Sequence, residues 1–63
     1  MSVNIKKIRK EQGLTQVALA EKIGVKQNTI SAWENGESYP RVEVLIKLSE
    51  IFGCTLDELV RKS

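Results

Sequence analysis

Histidine is absent from this chain of 63 residues, and cysteine, proline, tryptophan, tyrosine and phenylalanine each occur once. A single cysteine cannot form an intramolecular disulfide, and without histidine the usual Cys/His zinc sites and the Ser-His and Cys-His catalytic pairs are excluded. The sequence also has no glycine-rich phosphate loop and no clustered carboxylate pair. An enzyme is therefore disfavoured, and we expect no metal, no other cofactor and no small-molecule substrate.

Long apolar runs are also missing. No stretch approaches the roughly 18 residues that a membrane-spanning helix needs, and no signal peptide is visible, so we expect no membrane partner. The lone Cys54 is typical of a reducing compartment, which favours a cytoplasmic location. We interpret Cys54 as a small apolar residue that packs in the domain, and we favour this role over a redox role. The length and the apolar content of 41% indicate one domain, residues 1–63, with a thin core.

Charge is distributed unevenly, although the net charge is only +2. Residues 1–41 contain seven basic and four acidic side chains, whereas residues 42–63 contain three basic and four acidic ones. The amino-terminal part is therefore the basic one. An asymmetry this small is weak support for a nucleic-acid partner when taken alone.

Apolar residues recur with helical spacing along nearly the whole chain, and no long segment alternates with period two. The pattern predicts an all-α fold of five helices, at about residues 3–12, 16–23, 27–35, 41–52 and 56–61. Ser2 and Thr15 are plausible N-caps, Gly24 can end the second helix, and Thr55 with Glu58 has the spacing of a capping box.

The segment from Gln16 to Asn35 has the most specific pattern. Ala20 is small where a second helix must approach closely, and Gly24 can adopt the positive φ of a tight turn. The remaining apolar positions of the pattern are Leu19, Ile23, Val25, Ile30 and Trp33. This spacing predicts two short helices that cross at a tight turn, which is a helix-turn-helix.

An ordered set of residues over essentially the whole chain resembles the phage repressor and Cro-like (XRE-type) helix-turn-helix family. The set comprises Arg9, Gly13-Leu14-Thr15-Gln16, Leu19-Ala20, Gly24-Val25, Ile30-Ser31, Glu34-Asn35-Gly36, Pro40, and Gly53 followed by Thr55-Leu56-Asp57-Glu58-Leu59. The resemblance implies a five-helix, lambda-repressor-like DNA-binding domain that regulates transcription and usually dimerises. Two positions depart from the family: Lys26 replaces the usual Ser or Thr cap, and Val17 replaces an exposed charged residue.

The early residues of the second helix of such a motif meet base edges in the major groove. Here the candidates for base contact are Lys26, Gln27, Asn28, Ser31 and Ala32. A side-chain amide can form two hydrogen bonds with adenine, and a lysine can bond to guanine or to a phosphate. An alanine methyl group can pack against the methyl group of thymine. The alternative is that these side chains form only a solvated polar face.

Candidates for contact with the DNA backbone lie around this segment. The start of the preceding helix points free N–H groups outward, and the resemblance implies a phosphate contact by the Gln16 side chain. The full candidate set is Thr15, Gln16, Asn35, Ser38, Lys10 and Arg41. The alternative is that Thr15 is merely a cap and that the others are solvated.

A matching Arg and Glu form a shielded ion pair in the resembled family, which implies a pair between Arg9 and Glu34. Such a pair would orient the reading helix and would not touch bases. If it is partly buried, removal of one partner costs roughly 3–5 kcal/mol. If it is exposed, the pair contributes only about 0–1 kcal/mol.

We therefore expect a bacterial or phage-encoded, sequence-specific double-stranded DNA-binding regulator, most simply a repressor. One small domain makes few contacts, so a homodimer on a palindromic operator is expected, with Cys54, Leu56 and Val60 as candidate interface residues. The competing hypothesis is a protein-interaction module on the same fold, which an exposed Val17 and the modest net charge would favour.

Overall fold

The computed structural model describes residues 3–60, and this part of the chain forms five α-helices and no β-strand. The helices are α1 (Ile5–Glu11), α2 (Gln16–Ile23), α3 (Gln27–Glu34), α4 (Val42–Phe52) and α5 (Leu56–Val60). The predicted all-α fold class is confirmed. The described residues measure 24 × 24 × 21 Å along their principal axes.

The first helix begins two residues later than predicted, so its expected start at residue 3 is wrong. Val3 is buried but lies outside α1, and Asn4 precedes the helix without a side-chain capping bond. The Asn4 N–H donates instead to the carbonyl oxygen of Leu59 at 2.7 Å, and Asn4 Nδ2 donates to the carbonyl oxygen of Glu58 at 3.0 Å. Val3 is therefore held in the core by attachment to α5. Ser2, the predicted cap, lies outside the described residues.

Helix α2 has a defined cap at each end. Thr15 Oγ1 accepts a hydrogen bond from the Ala18 N–H at 3.0 Å, as expected of an N-cap threonine. Gly24 ends the helix at φ +88°, a left-handed conformation that favours glycine. Lys47 of α4 donates from Nζ to the carbonyl oxygen of Ile23 at 3.1 Å, so a cation also satisfies the carboxyl end of the helix.

Helix α3 follows after a short connection. Lys26 adopts the extended backbone of an N-cap residue, but its side chain makes no capping bond, because an ammonium group cannot accept one. The helix ends at Glu34, one residue before the predicted end. Gly36 then turns the chain at φ +75°, which allows the Glu37 N–H to donate to the carbonyl oxygen of Ala32 at 2.9 Å.

The carboxyl-terminal helices begin with different caps. Arg41 is the N-cap of α4 and not its first residue, and the cap has no side-chain bond. Thr55 and Glu58 form the expected capping box: Thr55 Oγ1 accepts from the Glu58 N–H at 3.1 Å, and Glu58 Oε1 accepts from the Thr55 N–H at 3.2 Å. A helix of five residues is not stable alone, so this box and the fully buried Leu59 hold α5 in place.

All five helices contribute to one core. Its largest fully buried side chains come one from each helix and are Ile5, Leu19, Ile30, Leu48 and Leu59. Trp33, the only tryptophan, is 6% exposed, and Phe52 is 5% exposed. The core therefore fixes α2 and α3 relative to the other three helices.

Candidate nucleic-acid interface

Helices α2 and α3 pack closely against each other because their facing residues are apolar and one of them, Ala20, is small. Leu19, Ala20 and Ile23 of α2 are buried, as are Ile30 and Trp33 of α3. The Val25 N–H also donates to the Ala20 carbonyl oxygen at 3.0 Å, which closes the turn between the helices. This is the helix-turn-helix that the sequence predicted, and it leaves the polar side of α3 outward.

The candidate base-reading residues lie at the start of α3 and one turn further along it. Lys26, Gln27 and Asn28 are exposed, while Ser31 and Ala32 are half-buried. The first three side chains are therefore accessible from solvent, and the last two present less surface.

The candidate backbone contacts surround that end. At the start of α2, Thr15 Oγ1 already serves as a cap, while Gln16 is half-buried. Asn35 and Ser38 are exposed in the segment after α3, and Asn35 Nδ2 lies 3.5 Å from Ser31 Oγ. Lys10 near the end of α1 and Arg41 at the start of α4 are also exposed.

The structure brings Arg9 and Glu34 together in a shielded ion pair. Arg9 Nε lies 2.7 Å from Glu34 Oε2, and Arg9 Nη2 lies 3.2 Å from Glu34 Oε1, so the contact is bidentate. The two side chains are 9% and 2% exposed. Arg9 Nη1 also donates to the carbonyl oxygen of Leu14 at 2.8 Å, so the guanidinium links α1, the loop before α2 and the end of α3. The buried form of the pair is the one observed.

The ionisation of Glu34 follows from these contacts. Burial by itself raises the pKa of this carboxyl group, because a charge is costly in a poorly hydrated site. Hydrogen bonds from Arg9 and Gln16, and the positive charges of Arg9 and Lys6, outweigh that effect and lower the pKa below its usual value. Glu34 is therefore ionised at neutral pH.

Two further hydrogen bonds connect this ion pair, through Gln16 of α2, to the first residue of α3. Gln16 Nε2 donates to Glu34 Oε1 at 3.0 Å, and Gln27 Nε2 donates to Gln16 Oε1 at 3.3 Å. We call the four side chains of Arg9, Glu34, Gln16 and Gln27 the amide relay. Sequence reasoning considered Gln16 and Gln27 separately and missed their connection. Their positions, 18 and 11 residues from their respective partners, give no local spacing signal that would have revealed it.

The remaining candidates lie in the carboxyl-terminal part of the domain. Leu56 is 42% exposed, and Cys54 and Val60 are half-buried. Burial, together with the negative charge of Glu58, raises the pKa of the Cys54 thiol, so it stays protonated at neutral pH. Val17 on α2 is 48% exposed. No group of three or more metal-ligating side chains comes together in residues 3–60, and no helix there is long and apolar enough to cross a membrane.

A family model described as Helix-turn-helix matches residues 5–59. The chain belongs to this family. It is the XRE-type family that the resemblance implied, and the two relatives described next are transcriptional regulators, one an activator and one a repressor. The chain is 41% identical over 56 residues to the HTH-type transcriptional activator BcrR of Enterococcus faecalis, covering 89% of this chain and 28% of BcrR. It is 39% identical over 62 residues to the cryptic phage CTXphi transcriptional repressor RstR of Vibrio cholerae, covering 98% of this chain and 56% of RstR.

A solved structure gives the same architecture. The P22 c2 repressor protein, crystallised in complex with the synthetic operator 9T, superimposes with a TM-score of 0.84 at 36% identity. The match covers 94% of this chain and 89% of that one. The chain thus has the fold of a repressor that was crystallised with a synthetic operator. It spans only about a quarter of the length of BcrR and just over half of the length of RstR.

Proposed function

We propose that this protein is a sequence-specific double-stranded DNA-binding regulator of transcription that acts as a repressor. The observation that carries the proposal is the exposed start of α3, where Lys26, Gln27 and Asn28 project from a helix held by a buried ion pair. Rigid support matters because base recognition needs side chains held in a fixed position relative to the groove. The likeness to the P22 c2 repressor and to RstR supports repression, while the 41% identity to the activator BcrR is the ground for the alternative direction of regulation.

Base recognition is assigned to the outward side of α3. Gln27 and Asn28 each carry an amide that can pair with adenine N6 and N7, and Lys26 can contact guanine or a phosphate. Ser31 and Ala32 are half-buried and contact the same groove more shallowly, through a hydroxyl and a methyl group.

Contacts to the DNA backbone are assigned to the elements on either side of α3. The first turn of α2 presents backbone N–H groups beyond the one that Thr15 caps, and these groups favour a phosphate beside Gln16. Asn35 and Ser38 lie in the segment after α3, and the exposed cations Lys10 and Arg41 extend the same surface. Such contacts set register and affinity without reading sequence.

A homodimer on a palindromic operator completes the proposal. One small domain buries too little surface on DNA for high specificity, whereas two copies on half-sites about one helical turn apart double the contacts. The proposed interface includes Leu56 together with the half-buried Cys54 and Val60, in the acidic part of the chain. A regulator of this kind works where the DNA lies, in the cytoplasm of the cell.

The test is selection from a pool of random DNA duplexes, with the oligomeric state measured with and without the selected duplex. Enrichment of one palindromic motif, bound by two protein molecules, is the expected result. A protein that enriches no motif even at low salt is not a sequence-specific regulator. That outcome would favour the protein-interaction module instead, with the exposed Val17 as part of the contact surface.

A further inference from the structure

Asn35, at the end of α3, is the only one of the three asparagines in the sequence that glycine follows. In an Asn-Gly sequence the backbone nitrogen of the glycine can attack the side-chain carbonyl carbon, Cγ, of the asparagine. A glycine has no Cβ atom to hinder this approach, whereas the β-branched Thr29 crowds the nitrogen that follows Asn28. The sequence therefore contains one reactive pair, Asn35-Gly36, in the segment assigned to contact with the DNA backbone.

The reaction of this pair is a deamidation that needs only water. The Gly36 nitrogen forms a bond to Asn35 Cγ, its proton passes through solvent to the side-chain NH2 group, and that group leaves as ammonia. A cyclic succinimide remains. Water then opens the ring, at the Cγ carbonyl to give aspartate or at the backbone carbonyl to give isoaspartate. Either product carries a negative charge where the asparagine was neutral.

The folded backbone holds Asn35 and Gly36 in an unreactive arrangement. Ring closure requires the Gly36 nitrogen to eclipse Cβ of Asn35 about the Cα–C bond, but at the observed ψ of −1° it eclipses the Asn35 nitrogen instead. Two hydrogen bonds oppose the rotation. The Gly36 N–H donates to the Trp33 carbonyl oxygen at 3.3 Å, and the Glu37 N–H donates to the Ala32 carbonyl oxygen at 2.9 Å. The reaction therefore needs the end of α3 to open.

The charge of the product falls on an unfavourable part of the surface. Asn35 is exposed and is the C-cap of α3, where the helix dipole repels an added negative charge. Glu34 and Glu37 lie close to it in sequence, and both are acidic. Beside a DNA phosphate, a carboxylate repels and donates no hydrogen bond, whereas the amide that it replaces can donate one. Deamidation therefore opposes the backbone contact assigned to Asn35.

We propose that Asn35 is a site of spontaneous deamidation, that the opening of the end of α3 sets its rate, and that the product weakens DNA binding. The loss of affinity rests on the proposed DNA-binding function, whereas the reaction itself does not. DNA that contacts Asn35 and Ser38 holds the end of α3 closed, so bound protein reacts more slowly than free protein. Free protein thus loses its affinity with age, and bound protein keeps it.

The first measurement compares rates of deamidation in the full chain at a mildly alkaline pH, which favours loss of the proton from the attacking nitrogen. Peptide mass spectrometry follows Asn35 in the folded protein, in the protein unfolded by guanidinium chloride, and in the protein bound to the selected duplex. Asn28 in the same samples is the internal control. The folded protein is expected to react at least about tenfold more slowly than the unfolded one, which corresponds to an opening free energy of about 1.4 kcal/mol. The duplex is expected to slow the reaction further.

The second measurement compares the Kd of the wild type, Asn35→Asp and Asn35→Gln for the selected duplex. Asn35→Asp reproduces the charge of the product, and Asn35→Gln keeps a neutral amide. Circular dichroism checks that each form is folded. Asn35→Asp is expected to bind at least about fivefold more weakly than Asn35→Gln, which corresponds to one close repulsion of about 1 kcal/mol. This difference should shrink as the salt concentration is raised, because salt screens exposed charges, whereas a folding defect would not respond in that way.

Equal rates at Asn35 in folded and unfolded protein would overturn the inference, as would a rate at Asn35 no greater than that at Asn28 in the unfolded protein. Equal affinities of Asn35→Asp and Asn35→Gln, or equal rates in free and duplex-bound protein, would also overturn it while the proposed function stands. A wild-type protein without any sequence preference would refute the proposed function and the claim about affinity. The rates in folded and unfolded protein would then still decide whether the end of α3 controls the modification.

Discussion

Removal of Arg9 should be among the most damaging single changes in this protein. The substitution Arg9→Ala deletes both contacts to Glu34 and the hydrogen bond to the Leu14 carbonyl oxygen. It leaves Glu34, 2% exposed, with only Gln16 as a polar partner from the relay. A buried charge stranded in this way costs about 3–5 kcal/mol.

That cost is large relative to the whole stability of such a chain. Domains are stable by roughly 0.05–0.15 kcal/mol per residue, which gives about 3–9 kcal/mol at this length. Urea unfolding, followed by the fluorescence of the buried Trp33, measures the change. With a slope of about 1 kcal/mol per molar urea, the Arg9→Ala midpoint should fall by about 3 M or more, or the protein should be unfolded without urea.

Two companion variants separate the ion pair from a general effect of charge. Lys7→Ala removes an equal charge from the exposed side of the same helix and should change stability by less than about 0.5 kcal/mol. The double variant Arg9→Met/Glu34→Leu replaces both charges with apolar groups and should recover most of the loss, because no charge is stranded. If Arg9→Ala unfolds at the same urea concentration as Lys7→Ala, the buried-pair reasoning is wrong.

Further predictions concern DNA contacts, the turn, a cap and pH. Gln27→Ala should change which base is preferred at one position, whereas Lys10→Ala should weaken binding to all sequences alike and reduce the slope of log Kd against log salt; competition assays at several salt concentrations distinguish the two. Gly24→Ala should cost roughly 1–2 kcal/mol in urea unfolding, because its backbone has φ +88° while no atom lies within 4 Å of an added Cβ. Thr15→Ala should cost about 1 kcal/mol in the same assay through loss of the cap on α2. Folding lowers the pKa of Glu34 from 4.5, so the ionised side chain stabilises the folded protein fully above pH 4.5. This stabilisation is lost as the pH falls from 4.5 through the pKa of the folded state. A urea midpoint that stays constant down to about pH 3 would contradict the prediction.

The sequence predicted those parts of the fold that depend on local signals. Thr15 and Thr55 are in fact N-caps, and Gly24 has the left-handed conformation that its place at the end of α2 required. These outcomes follow from chemistry within four or five residues of chain. The start of α1 could not be found in this way. Asn4 is held by α5, 54 residues away at Glu58, and no periodicity records such a contact.

In the candidate site, too, features set by local sequence were predictable and contacts between distant residues were not. Exposure at Asn28 follows from helical periodicity, because this residue lies opposite the buried Ile30 and Trp33 of α3, whereas Lys26 and Gln27 are exposed because they stand at the very start of the helix. The partner of Gln16 could not be found from periodicity. Whether Gln16 faces solvent or Glu34 depends on the angle at which α2 crosses the end of α3, and side-chain contacts across that angle have no signature in the linear sequence.

The hydrogen bond between Asn4 and Leu59 has a consequence for the order in which the domain assembles. Most contacts within the helix-turn-helix close short loops, which form quickly and at small entropic cost. The Asn4–Leu59 bond instead closes nearly the whole described chain into one ring, so it forms late, after the intervening helices have brought its two residues together. We therefore expect a change that breaks this bond to act mainly on the rate of unfolding and little on the rate of folding, which stopped-flow measurements in urea would show.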